Sequence, residues 1–234
     1  MARRALIAGA TGLVGARVLE ALLADPAYSA VRVLARRPLA LRHPKLIVDV
    51  TDFDRLQDIR FPRVDDVFCC LGTTIAAAGS RAAFRRVDFD YPLAIARAAL
   101  AAKARQFLFV SAMGANARSP VFYSRVKGEL EQAVAGLGYR SAVAFRPSLL
   151  SGDRQQNRPG ERAALALLQP LRFLVPRKYR PVAAVAVAQA MLNGAKRGPA
   201  GFTVIESDAM HESGERGAPP AGARRSTTRV TKRR

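Results

Sequence analysis

The stretch ALIAGATGLVGARVLEALLAD, Ala5 to Asp25, decides the fold. A short apolar run stops at a glycine-rich turn, and the Leu/Val spacing of an amphipathic helix begins straight after it. Within the turn, Gly9, Gly12 and Gly15 form GATGLVG. In a strand–turn–helix unit the first glycine allows the tight turn and the second lets backbone approach a pyrophosphate. The third lets the helix lie close to the strand. Free amides at the helix start, together with the helix dipole, favour phosphate charge. A glycine motif alone is a weak signal, and the strand before it and helix after it make it specific. The opening MARRALIAGATGLVGA also has the arginines, apolar run and small residues of a secretory signal. Its glycines fall where the turn needs them, so it reads as the first βα unit.

Further along, VRVLA, KLIVDV, DDVFCCLG, QFLFVSA, RSAVAFRP and GFTVIES read as strands. They are nearly continuous apolar runs, as parallel strands covered on both faces should be. Helical patterns lie near Arg81–Ala104, Val121–Ala135, Glu161–Leu168 and Val182–Ala195. Alternating strands and helices predict an α/β fold, a Rossmann-like doubly wound parallel sheet. Residues 1–210 read as one nucleotide-binding domain. Its small substrate-side region of loops and helices lies mainly in residues 149–200, where the pattern loosens.

The net charge is +20, from 38 Lys and Arg against 18 Asp and Glu. Residues 211–234, rich in Gly, Pro, Ala and Ser, read as a basic disordered tail with a net charge of +5, leaving +15 on the rest. The remaining bases are scattered arginines, which suit phosphate-bearing ligands. Interleaved aromatic readers and nucleic-acid motifs are lacking, which argues against a nucleic-acid partner. Cys69 and Cys70 are adjacent, so on a strand they face opposite ways and form neither a bridge nor a CxxC pair. Two histidines, His43 and His211, make no metal-ligand cluster. No apolar run is long enough to span a bilayer. These features predict a cytosolic, metal-free chain.

The second strand ends in VLARRP, about twenty residues past the glycines, where an NAD site would carry an acid on the ribose 2′-hydroxyl. Arg36 and Arg37 stand there instead, and paired guanidinium groups suit a 2′-phosphate. NADP is therefore favoured over NAD. In VFYSRVKGE, Tyr123 and Lys127 lie four apart on one helix face. An ammonium beside a phenol stabilises the phenolate, so the tyrosine can protonate a carbonyl oxygen or deprotonate an alcohol.

GATGLVG, VFCCLGTT, FLFVSAMGA, YSRVK and AFRPSLLSGDRQQNRPGE together resemble the atypical short-chain dehydrogenase/reductase superfamily. More narrowly they are similar to the branch of Tat-interacting-protein oxidoreductases and their bacterial relatives. The resemblance covers about Arg3 to Asp208. It implies that Gly9, Thr11, Gly12, Leu13, Val14 and Gly15 line the pyrophosphate. Arg36 and Arg37 would meet the adenosine phosphate, and Asp52 would lie near the adenine. Cys70, Leu71, Gly72 and Thr73 would lie by the adenosine ribose. Pro147 and Ser148 would abut the nicotinamide, with Lys127 also at the cofactor. Tyr123, Lys127 and Ser111 would be catalytic. One departure stands out: where relatives carry a serine or threonine just past Ser111, this chain has Ala112 and Met113.

Asp88 and Asp90, in VDFDYP before Pro92, read as N-terminal helix capping. Arg154, Arg158 and Arg162 are candidates to clamp an acidic substrate. The apolar helices suit contact with a second subunit or another protein. The sequence thus predicts an NADP-dependent oxidoreductase acting on a small carbonyl or alcohol. The alternative is an NADPH-binding regulatory or scaffold protein with little turnover.

Overall fold

A computed structural model describes residues 2–58, 61–151 and 176–211. Strand β1, Arg3–Ala8, feeds helix α1, Leu13–Ala24, followed by β2, Tyr28–Ala35, and β3, Leu46–Val50. A 3-10 segment, Phe53–Asp58, precedes β4, Asp66–Cys69. Short helices α2, Ile75–Ala78, and α3, Arg81–Arg85, come next. A π-helical turn, Arg86–Asp90, joins α3 to α4, Tyr91–Ala101. Then come β5, Gln106–Val110, α5, Phe122–Ala135, and β6, Ser141–Arg146. Beyond them are β7, Leu150–Ser151, β8, Val182–Ala183, α6, Ala184–Arg197, and β9, Gly201–Glu206.

Seven strands form one sheet in the order β3-β2-β1-β4-β5-β6-β9, every neighbouring pair parallel. This is the doubly wound sheet expected from the alternating pattern. The strand order reverses at β1, between β2 and β4, which opens a crevice beyond the carboxyl ends of β1 and β4. Alternate residues of each strand feed two cores. Ala5 and Ile7 pack with α1 and α6, while Leu6 and Ala8 pack with α4 and α5. Cys69 belongs to the second core and Cys70 packs against the first, so the adjacent thiols do face opposite ways. Phe68, Phe107, Phe109 and Phe145 are fully buried in these layers. Each such side chain contributes roughly 1.5–3 kcal/mol, well above an exposed ion pair, so apolar packing holds sheet and helices together.

At the amino edge of the sheet, Asp66 is a buried cross-link. Its Oδ2 accepts from the Tyr28 hydroxyl at 2.8 Å and from Arg3 Nη1 at 3.2 Å, and its Oδ1 accepts from Gln106 Nε2 at 2.8 Å. This network ties β1, β2, β4 and β5 on the side away from the crevice.

Two helical patterns end or divide differently from the sequence reading. The helix begun at Arg81 stops at Ala101, because Lys103 turns left-handed with φ 65. The pattern at Val182–Ala195 divides into strand β8 and helix α6, since Val182 pairs beside Leu150. The helix anticipated over Glu161–Leu168 and the arginines at 154, 158 and 162 lie outside the described residues. So does the tail beyond His211, which itself ends a helical turn over 207–211.

Candidate functional site

The glycine turn is built by steric necessity. Gly9 has φ 83, and a Cβ there would stand 2.6 Å from the Cys70 carbonyl group. A Cβ on Gly15 would stand 2.0 Å from the Gly9 carbonyl oxygen, so the first turn of α1 closes directly on the loop. The Gly12 amide donates to the Gly9 carbonyl at 3.0 Å. Gly12 caps α1 with no side-chain hydrogen bond, and the first turn holds no acid. The first amides of a helix have no intrahelical acceptor, so Leu13 and Val14 present unsatisfied N–H groups, with the dipole, to an anion. Such a cradle fits a pyrophosphate. At the end of β2, Arg36 and Arg37 are exposed and have no ion-pair partner among the described residues. Arg32, on the same strand, is already held by Asp49 at 2.6 Å. Asp52 is exposed and accepts the Asp54 amide at 3.0 Å, starting the 3-10 turn.

Tyr123 and Lys127 open α5, but their surroundings differ. Tyr123 is half-buried against the Phe84 ring, with centroids 5.5 Å apart. Lys127 is 3% exposed. Its Nζ stands 2.7 Å from Asp88 Oδ1 and donates to the Val110 carbonyl at 3.5 Å. Burial works against the ammonium, but attraction to Asp88 and then to Tyr123 outweighs it, and the Lys127 pKa is raised above its ordinary value. The ammonium therefore stays charged beside the tyrosine.

Asp88 is thus no helix cap. It lies 1% exposed in the π turn, and its Oδ2 accepts the Thr73 amide at 2.9 Å. Asp90 holds the cap position of α4 and makes no side-chain bond there. The capping expectation fails because the π turn continues the helix through both residues. One signal for Asp88 was present: Phe84 and Asp88 are four apart, which puts the acid on a buried stripe.

Gly72 is exposed, and Thr73 is half-buried beside it. The loop after β5 crosses α5 at Gly128, where a Cβ would stand 2.2 Å from the backbone of Asn116 and Ala117. Ser111 is buried, and its hydroxyl donates to Glu131 Oε1 at 2.5 Å. Glu131 is in turn gripped by Arg146, whose Nε and Nη2 donate at 2.9 and 2.5 Å. Pro147 is buried, its carbonyl accepting the Met113 amide at 3.0 Å. The Ser148 hydroxyl donates to the Arg180 carbonyl at 2.5 Å. The Glu131–Arg146 clamp was not anticipated, because its partners lie on different elements. The structure therefore gathers the loops after β1, β4, β5 and β6 at one sheet edge. Residues 36, 37 and 52 stand after β2 and β3, at the carboxyl ends of those strands.

The model of the NAD-dependent epimerase/dehydratase family matches residues 5–169. The chain belongs to that family. Protein HTATIP2 of Rattus norvegicus is 37% identical over 192 residues, covering 80% of this chain and 78% of that protein. The protein fmp52, mitochondrial, of Emericella nidulans is 36% identical over 172 residues, covering 70% of this chain and 73% of its own length. Among solved structures, a short-chain dehydrogenase/reductase of Saccharomyces cerevisiae aligns with TM-score 0.67 at 14% identity. That alignment covers 90% of this chain and 98% of the other. An oxidoreductase of the same family from Burkholderia thailandensis aligns with TM-score 0.65 at 22% identity, over 90% and 93% of the two chains. The structural likenesses establish the fold, and the HTATIP2 match bears out the narrower resemblance. A nicotinamide cofactor is the family's, and the glycine cradle fits it.

The cytoplasmic expectation is overturned by the same comparison, because the Fmp52 relatives are named as mitochondrial. Reduced thiols and the lack of a membrane-length apolar run suit more than one compartment, so they could not decide between them.

Proposed function

We propose that this chain is an NADP-dependent oxidoreductase of the atypical short-chain type, acting on a small carbonyl or alcohol. The observation that carries the reading is the charged, buried Lys127 beside Tyr123, at the edge where the glycine cradle lies. When bound, the cofactor supplies or accepts a hydride. Tyr123 gives a proton to the carbonyl oxygen, or takes one from the hydroxyl in reverse, as general acid and base. Lys127 stabilises the phenolate that results. Leu13 and Val14 amides hold the pyrophosphate, and Arg36 and Arg37 favour a 2′-phosphate over a bare ribose. Residues 1–210 act as the catalytic domain.

A second reading, a cofactor-binding regulatory protein with little turnover, draws on Ser111. Its hydroxyl is committed to Glu131, and Ala112 and Met113 supply no substitute. Titration with NADPH and NADH, on wild type and on Arg36→Ala/Arg37→Ala, followed by a carbonyl panel with Tyr123→Phe as control, separates the two. NADPH binding with turnover that needs Tyr123 supports the enzyme. Binding without turnover favours the regulator, and no binding of either cofactor defeats both.

A further inference from the structure

The Asp88–Lys127 pair does more than fix a lysine. Both residues are buried, at 1% and 3% exposure, and among the described residues Asp88 Oδ1 has no hydrogen-bond partner beyond the 2.7 Å ion pair. Asp88 Oδ2 takes the Thr73 amide, so one carboxylate links the π turn, the loop after β4 and α5. Fold stability is a weak reason to keep such a pair, since apolar replacements of buried ion pairs are often neutral or stabilising. The pair also borders the open crevice. A Cβ on the exposed Gly72 would stand 3.5 Å from Asp88 Oδ1 and 3.8 Å from Lys127 Nζ, with nothing nearer.

The charges facing Lys127 can be summed from its surroundings. Asp88 on the π turn contributes −1, and Cys69 on β4, a buried thiol, contributes none. On β5 the Val110 carbonyl faces it, and on α5 Tyr123 lies within electrostatic reach. With the lysine at +1, it and Asp88 form a neutral pair among the described residues. A lysine without this counter-ion would repel the oxidised nicotinamide ring, which is a cation, and would leave the uncharged reduced ring unaffected.

We propose that Asp88 sets the preference of this crevice for the oxidation state of its nicotinamide cofactor, by cancelling the lysine charge that would otherwise disfavour the oxidised form. The inference rests on the cofactor reading above. At an effective dielectric of about 20, a unit charge acting at roughly 12 Å changes relative affinity on the order of tenfold.

The test is calorimetric, on the full chain, with NADP+ and NADPH at pH 6, on the acid side because burial without Asp88 disfavours the Lys127 ammonium. In Asp88→Asn the ratio of the oxidised to the reduced Kd is expected to rise about tenfold over wild type. If both constants move together, or neither moves, Asp88 is only a structural prop and the proposal is overturned. Wild type that binds neither form would instead sink the cofactor reading itself. Should Asp88→Asn fail to fold, Lys127→Gln at pH 8 removes the positive partner and leaves Asp88 in place, and the ratio is expected to fall by a similar factor. A rise or no change there overturns the proposal as well.

Discussion

The Ser111 hydroxyl faces α5, donating to Glu131 at 2.5 Å, while Arg146 holds the same carboxylate from β6. The serine thus joins a clamp that fastens α5 to the carboxyl end of β6. Glu131 keeps the Arg146 pKa raised, chiefly through its hydrogen bonds. Ser111→Ala should lower kcat/KM by no more than about threefold, because a general acid–base residue contributes about 10²–10⁴. It should reduce stability by about 1.5–3 kcal/mol, since the lost bond is to a charged group. Glu131→Gln should cost about 2 kcal/mol or more, because it weakens both bonds to Arg146. Urea unfolding and steady-state kinetics on the two variants check these values, and a hundredfold kinetic loss in Ser111→Ala would return the serine to the catalytic centre.

Tyr123→Phe removes one oxygen and leaves the ring against Phe84. Turnover on a competent carbonyl is expected to fall roughly 10²–10⁴-fold. NADPH affinity and melting temperature should stay near wild type. Stopped-flow hydride transfer and a cofactor titration read the two quantities separately.

Among the described residues Arg36 and Arg37 have no ion pair to break, so their loss should be felt in binding and not in folding. For Arg36→Ala/Arg37→Ala, NADPH is expected to bind about 10–100-fold more weakly, at about 1.5–3 kcal/mol for bonds to charged groups. NADH, lacking the 2′-phosphate, should bind unchanged. An equal loss for both cofactors would assign the arginines to general attraction.

Alkaline pH should destabilise the fold through Cys69. Burial pushes its thiol up to about 11 from 9.0. The unfolded chain therefore ionises first, and the stability present below pH 9 declines as pH rises toward 11. Two units correspond to about 2.7 kcal/mol. Tyr139, raised by burial and donating its hydroxyl to the Ala96 carbonyl, adds to the loss above pH 10. Urea midpoints at pH 8, 9.5 and 11 should fall less steeply in Cys69→Ala than in wild type.

The parallel sheet was legible because DDVFCCLG and QFLFVSA are apolar on both faces, as only doubly covered strands are. Gly9 and Gly15 were legible because their neighbours, a strand and a helix, leave no room for a side chain. Asp88 was misread. VDFDYP looks like a cap when judged locally, and whether a helix begins there or runs through is settled by Phe84 docking on α5. The Glu131–Arg146 clamp joins residues fifteen apart across a helix and a strand, and neither residue's local pattern reveals the other. Compartment was illegible in principle, because nothing in the packing of this fold depends on it.

The π turn carries a consequence for length variation. Each residue of an α-helix advances about 100° around the axis. Deleting a single residue within Arg86–Asp90 would tighten the wide turn to ordinary helix and rotate Phe84 and everything before it relative to α4. Either the Phe84–Tyr123 ring contact or the Asp88–Lys127 pair would then be lost, whichever side of the deletion stayed anchored. Point substitutions across this segment leave its phase intact, whereas gaps cannot. Descendants of this chain are therefore held to the number of these five residues, even where those other than Asp88 vary.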